Sequence, residues 1–211
     1  MSSSVAQTSV GLMTGFTNYS GDLQQVHFET ATAHLAYGLN VSHQLSTNLS
    51  VSAHLLGGKV SGSDALYETL LIEERNLHFE SDIYEIGVQG EWAIVSFGET
   101  EQKISSTYIF GGLAGFHINP KSKYNNEWDE LQPLGTEGQH SPFYPERSAY
   151  SLWQVAIPMG IGFKVNLSKR LAIQFEAGVR KTFTDYIDDV SQSYPNQELI
   201  AQKIIYNNYI L

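Results

Sequence analysis

Residues 152–167, LWQVAIPMGIGFKVNL, alternate without a break. Trp153, Val155, Ile157, Met159, Ile161, Phe163, Val165 and Leu167 are bulky and apolar, whereas Gln154, Ala156, Pro158, Gly160, Gly162, Lys164 and Asn166 fall between them. A period of two is the mark of an extended strand with one apolar face. A chain built from such segments is all-β, and what its apolar faces touch, a protein core or lipid, decides the rest.

The alternation recurs. HLAYGLNVSHQ carries Leu35, Tyr37, Leu39 and Val41 on one parity, and NLSVSAHL carries Leu49, Val51, Ala53 and Leu55. IYEIGVQGEWAI carries Tyr84, Ile86, Val88, Trp92 and Ile94, and RLAIQFEAGVR carries Leu171, Ile173, Phe175, Ala177 and Val179. In TYIFGGLAGFHI, Tyr108, Phe110, Ala114, Phe116 and Ile118 share a parity and are assigned to the apolar face; SVGLMTGF contributes Val10, Leu12 and Phe16. Seven strands are recognisable. LSTN and SKR are short connections and FGETEQKIS is of moderate length, whereas the connections between them in sequence are long. Alternating short and long connections put all turns of an up-and-down antiparallel barrel at one end and all loops at the other, as in outer-membrane barrels.

Charge decides between core and lipid. A soluble barrel turns its polar faces to water and should carry charge at roughly a quarter to a third of those positions. Here the polar faces of the second, third and fifth strands carry none, and the rest offer only Glu85, Glu91, Lys164, Glu176 and Arg180. Such faces, mostly Gly, Ala, Ser, Asn, Gln and His, suit the interior of a barrel of about eight strands, which side chains just fill. The five charges are therefore assigned to the lumen, where they can pair. The lipid-facing set is Trp153, Val155, Ile157, Ile161, Phe163, Val165, Tyr84 and Trp92, with Tyr84, Trp92, Tyr108 and Trp153 as aromatic girdles. Pro158 predicts a local ladder defect on the lumen face, without a change of parity.

Residues 1–211 thus read as a single transmembrane β-barrel domain in the outer membrane of a Gram-negative bacterium, with eight strands expected because single-chain bacterial barrels have an even count. An eighth strand is either KIIYNNYIL, a poor one, or lies past Leu211 in a longer native chain; no signal peptide is visible at the N-terminus. The net charge of -10 argues against a nucleic-acid partner, and with no Cys there is neither a disulfide framework nor a thiolate metal site.

No catalytic, cofactor or metal site is assigned. Asp185, Asp188 and Asp189 lack the alternating-ligand spacing of a calcium loop and are expected to be a hydrated acidic loop. The seven His form no paired zinc spacing. His34 and His54 fall on the lumen parity. Ser52 and His54, with Glu85 or Glu91, contain the parts of a hydrolase triad, but point into a packed lumen with no substrate path. Residues 119–150 hold four of six prolines together with Tyr124, Trp128, Phe143 and Tyr144, and are expected to be an ordered cap, or else a protein-binding surface.

TNYSGDL, SDIYEIGVQGEW, NEWDELQPLGTEGQ and VAIPMGIGFKVNLSKRLAIQFEAGVRKTFTDYIDDVS together resemble the PorG-like outer-membrane β-barrel proteins of Bacteroidetes, over nearly the whole chain. The last two blocks match in order and spacing as well as composition. The resemblance implies a small barrel of the type IX secretion system, the machinery of protein transport that serves gliding motility and virulence-factor export. It implies as partners outer-membrane lipid and a periplasmic ring made of a lipoprotein and its partner, with no small-molecule substrate. The short-turn end, with LSTN and with Glu99, Glu101 and Lys103 of FGETEQKIS, is where the ring contact is expected. A surface-binding barrel that uses its long loops, and a membrane lipid hydrolase, are the alternatives.

Overall fold

A computed structural model describes residues 7–21, 23, 29–64, 77–99, 102–124, 126–139 and 144–190. Among these residues nine antiparallel strands make one sheet. Seven follow a continuous path: β1 (Thr8–Thr17), β2 (His34–Gln44), β3 (Leu49–Ser63), β4 (His78–Glu99), β5 (Gln102–His117), β8 (Trp153–Asn166) and β9 (Ala172–Thr182). Among the described residues each pairs only with its neighbours on that path, apart from a short hairpin, β6 (Pro120–Tyr124) and β7 (Glu127–Glu130), that joins the start of β4. The sheet curls into a half-barrel: Arg180 of β9 reaches Glu85 of β4, three strands away, and Gln7 before β1 donates to the carbonyl of Lys169 in the β8–β9 turn. Among the described residues β1 and β9 are the two edges, and KIIYNNYIL lies outside those residues.

The apolar stripes of β1, β2, β3, β4, β8 and β9 all face outward. Leu12 is 88% exposed, and Leu35, Leu55, Ile86, Ile161 and Phe175 are exposed with it. The true apolar core lies instead at the long-loop end. There Tyr19, Leu23, Val60 and Phe79 are buried against Leu77, Ile83, Leu131 and Ile187, while Phe116, Ile118 and Ala156 pack beneath. Loops between strands therefore fold inward as a cap over that mouth.

Two expectations need correction. Tyr108, assigned to the outward face, is 3% exposed and points inward, as do Ala114 and Phe116; Ile109 and Leu113 are among the outward residues of β5. This strand is apolar on both faces, so parity alone could not choose; register does, because Tyr108 lies between Ala93 and Gly162 on the inner face. The FGETEQKIS connection is also no moderate loop. β4 and β5 run on to Glu99 and Gln102, so only two residues separate them. At Pro158 the β5–β8 pairing is interrupted between Gly111–Met159 and Ala114–Ala156 and resumes in the same register, while β8–β9 pairing continues through it. The proline side chain is buried on the inner face.

Candidate functional site

The inner surface of the sheet is a polar lumen organised around Glu85. Its Oε1 lies 2.9 Å from His54 Nε2, and it receives a two-pronged contact from Arg180, with Nε donating to Oε2 (2.8 Å) and Nη2 to Oε1 (3.0 Å). Glu85 is 3% exposed, so its charge has to be met by such partners. The site is placed by sheet register. His54 lies opposite Gly87, and a Cβ there would come within 2.6 Å of the imidazole. Only glycine lets the ring lie across β4 towards Glu85.

The same device recurs three inner-face positions nearer the short turns. Tyr108, Gly162 and Glu176 are consecutive across β5, β8 and β9. The Tyr108 ring passes over Gly162, and its hydroxyl donates to Glu176 Oε1 at 2.7 Å, while Gln174 Nε2 donates to the Tyr108 oxygen at 3.3 Å. A Cβ at Gly162 would meet the Tyr108 ring at 2.2 Å. Gly162→Val is expected to expel the ring, break the link to Glu176 and cost about 1–3 kcal/mol by overpacking; urea unfolding of the variant beside the parent would measure it.

The residues expected in the lumen fall as follows. Glu85 and Glu91 are buried and Lys164 is half-buried, whereas Glu176 and Arg180, on β9, are exposed. His34 is half-buried and contacts Ser61 Oγ at 2.7 Å. Of the residues expected to face lipid, Tyr84, Trp92, Trp153, Val155, Ile161 and Phe163 are exposed on the outside, and Ile157 and Val165 are half-buried. Tyr84, His117 and Trp153 sit side by side across β4, β5 and β8, continued by Gly57 and Tyr37 on β3 and β2. They form one aromatic row near the long-loop end of the sheet. Ser52 and His54 share the inner face, but no hydrogen bond joins them among the described residues: His54 is spent on Glu85, and no triad is assembled.

At the capped mouth the expectation of a hydrated acidic loop fails. Asp185 is exposed, but Asp188 and Asp189 are buried. Tyr19 donates to Asp188; Thr136 and Tyr150 donate to Asp189, the latter at 2.6 Å. Hydroxyls spread over the β1–β2 loop and residues 119–150 supply the partners that the local sequence does not show. The Tyr150 ring stacks on Tyr186 at 4.6 Å, and Arg147 donates to the carbonyl of Glu137. Residues 126–139 and 144–150 are thus fastened to the turn after β9. Among the described residues no three His, Cys, Asp or Glu are grouped to hold a metal ion.

Burial holds the Asp189 carboxyl above its ordinary range, against the two hydroxyl donors, and nearby Glu137 adds to the rise. Burial and Asp189 likewise push the Tyr150 phenol up. A carboxyl raised in the folded state contributes stability that is fully present below its unfolded value, near 4, and lost as pH rises through the folded one. Hydrogen exchange at residues 186–190, corrected for intrinsic rate, should therefore show more frequent opening as pH rises across that window. Asp189→Asn should flatten the dependence, and Asn tolerates the left-handed backbone at this position (φ 65°).

No helix among the described residues is long and apolar enough to cross a membrane, which leaves strands untouched as a means of crossing. No curated protein and no solved structure matches the chain. The family model described as a domain of unknown function, DUF6089, matches residues 1–208, so the chain belongs to that family.

Proposed function

We propose that the chain is a non-enzymatic outer-membrane β-barrel that anchors the periplasmic ring of a type IX protein secretion machinery. The observation that carries the membrane part is the inverted sheet, with large apolar side chains outside and ionisable groups inside. A water-soluble monomer rarely exposes a contiguous apolar patch beyond a few hundred Å². Here the exposed apolar residues run along six of the seven path strands and across β5 as Ile109 and Leu113. Lipid is the solvent that such a surface fits, and the row Tyr37, Tyr84, Trp153 fits a headgroup boundary.

The secretion role rests on resemblance. Its longest block, one of the two most specific, runs through β8, the short turn, β9 and the buried Asp188–Asp189 turn, all integral to the fold. In this orientation the turns at 45–48 and 167–171 and the adjoining ends of β4 and β5 face the periplasm, and the tied-down loops face outside. The test is purification of the tagged protein from its own outer membrane in mild detergent, with mass spectrometry. A lipoprotein and its ring partner in comparable amounts are expected. A barrel that comes out alone, or only with surface proteins, would sink the secretion role.

A further inference from the structure

β4 is too long for the sheet that holds it. β3 ends its pairing at Leu49–Trp92, and the last contact on that side is the Ala93 amide donating to the Asn48 carbonyl at 2.8 Å. Beyond it, among the described residues, Val95 to Gly98 pairs with β5 alone. Among the described residues that side of β4 is a bare strand edge with the sequence Ile-Val-Ser-Phe-Gly. It carries neither charge nor proline, two of the devices with which natural edges are blunted, and its one such device is a bulge. Ile94 is an extra residue in the ladder, since Ala93 pairs with Tyr108 and Val95 with Thr107. After this bulge Val95 and Phe97 take the outward side beside Trp92 and Ile94, and all four are exposed.

The edge lies past the lipid-facing band. From Tyr84 to Phe97 the strand covers roughly 43 Å at about 3.3 Å per residue. With a tilt near 40°, this is about 33 Å of height against a band of about 25 Å. In the orientation proposed above, the free edge stands on the periplasmic side, where unpaired amides meet water or a protein strand. On this basis, which rests on that orientation, we propose that Ile94–Gly98 of β4 is a strand-addition site for an extended segment of a periplasmic partner polypeptide.

Geometry names the occupant. A row of backbone donors and acceptors is matched by another extended chain, and specificity comes from alternate side chains. A second copy of this chain does not fit. Antiparallel self-pairing would turn its barrel the opposite way through the same membrane. Parallel self-pairing would drive its β4 up the lane that β3 already fills. The lane is closed at its upper end by the 45–48 turn. The incoming segment is therefore short, about five residues, enters from the turn end, and carries apolar residues at alternate positions to cover Val95 and Phe97.

The chain has no Cys, so Val95→Cys, Ser96→Cys, Phe97→Cys and, as a control on another turn, Ser168→Cys each give one attachment point for a photo-crosslinker in native outer membranes. Val95 and Phe97 are expected to join one partner polypeptide at sites two residues apart in a single extended segment, with Ser168 giving no such adduct. Val95→Lys combined with Phe97→Lys should lower co-purification of that partner about tenfold while the barrel still assembles, as charge does on edges generally. Adducts with lipid, with this chain itself or with scattered sites would overturn the proposal. So would a partner retained in full by the double-lysine variant; if that partner is the ring lipoprotein, the secretion role stands and only the edge site falls. Adducts in strand register with a polypeptide outside any ring would do the reverse.

Discussion

Arg180→Ala is expected to destabilise the protein by about 3 kcal/mol, the lower end of the range for breaking a buried ion pair, because the Arg180 side chain is itself 42% exposed. The loss comes from what remains. Glu85 stays buried with His54 as its one lumen partner among the described residues, and the tie that draws β9 across to β4 is gone. Combining Arg180→Met with Glu85→Gln should restore most of the loss, since removing both charges removes the desolvation penalty with the attraction. Urea titration in vesicles, with the mobility shift of unheated protein on gels as the fold check, would separate the variants. If Arg180→Ala and the double variant are equally unstable, charge is not what the network supplies, and the tie is one of shape.

This network shows where sequence reasoning stops. Period two is enough to assign Glu85, Glu91, Lys164, Glu176 and Arg180 to one side of the sheet, because parity follows from the strand backbone alone. It says nothing about which of them meet. That depends on register and curl, which bring residues 95 positions apart into contact. The glycines opposite His54 and Tyr108 were the available signal: a glycine beside a ring on the neighbouring strand marks where the ring crosses, but only once the register is known. β5 failed for a simpler reason. With aromatics on its inner face and Ile109 and Leu113 on its outer one, it has no polar side to read. Asp188 and Asp189 failed because an acidic run reads as solvated unless distant hydroxyls are known to reach it. The hairpin of β6 and β7 is only five and four residues long, inside a stretch whose prolines and aromatics announced order but not its form.

Val88→Arg should cost about 2–4 kcal/mol when unfolding is measured in lipid vesicles, the penalty for a cationic side chain on the lipid face at the bilayer midplane. Val88 is outward, exposed, and lies midway between Tyr84 and Trp92 on β4. Opposite it on β3 and β5 are Ala53 and Leu113, with no acid to pair. The argument turns on the solvent. In water, arginine at so exposed a site is worth no more than about 0.5 kcal/mol either way. In hydrocarbon the guanidinium must be dragged from water or pull headgroups inward. Ser46→Arg in the 45–48 turn serves as the depth control, with an expected cost of about 0–1 kcal/mol near the interface. A large penalty at Val88 with a small one at Ser46 is what a membrane-spanning sheet produces. Equal and small penalties would mean that the outward apolar face is covered by protein or water, and the outer-membrane proposal would fall with it.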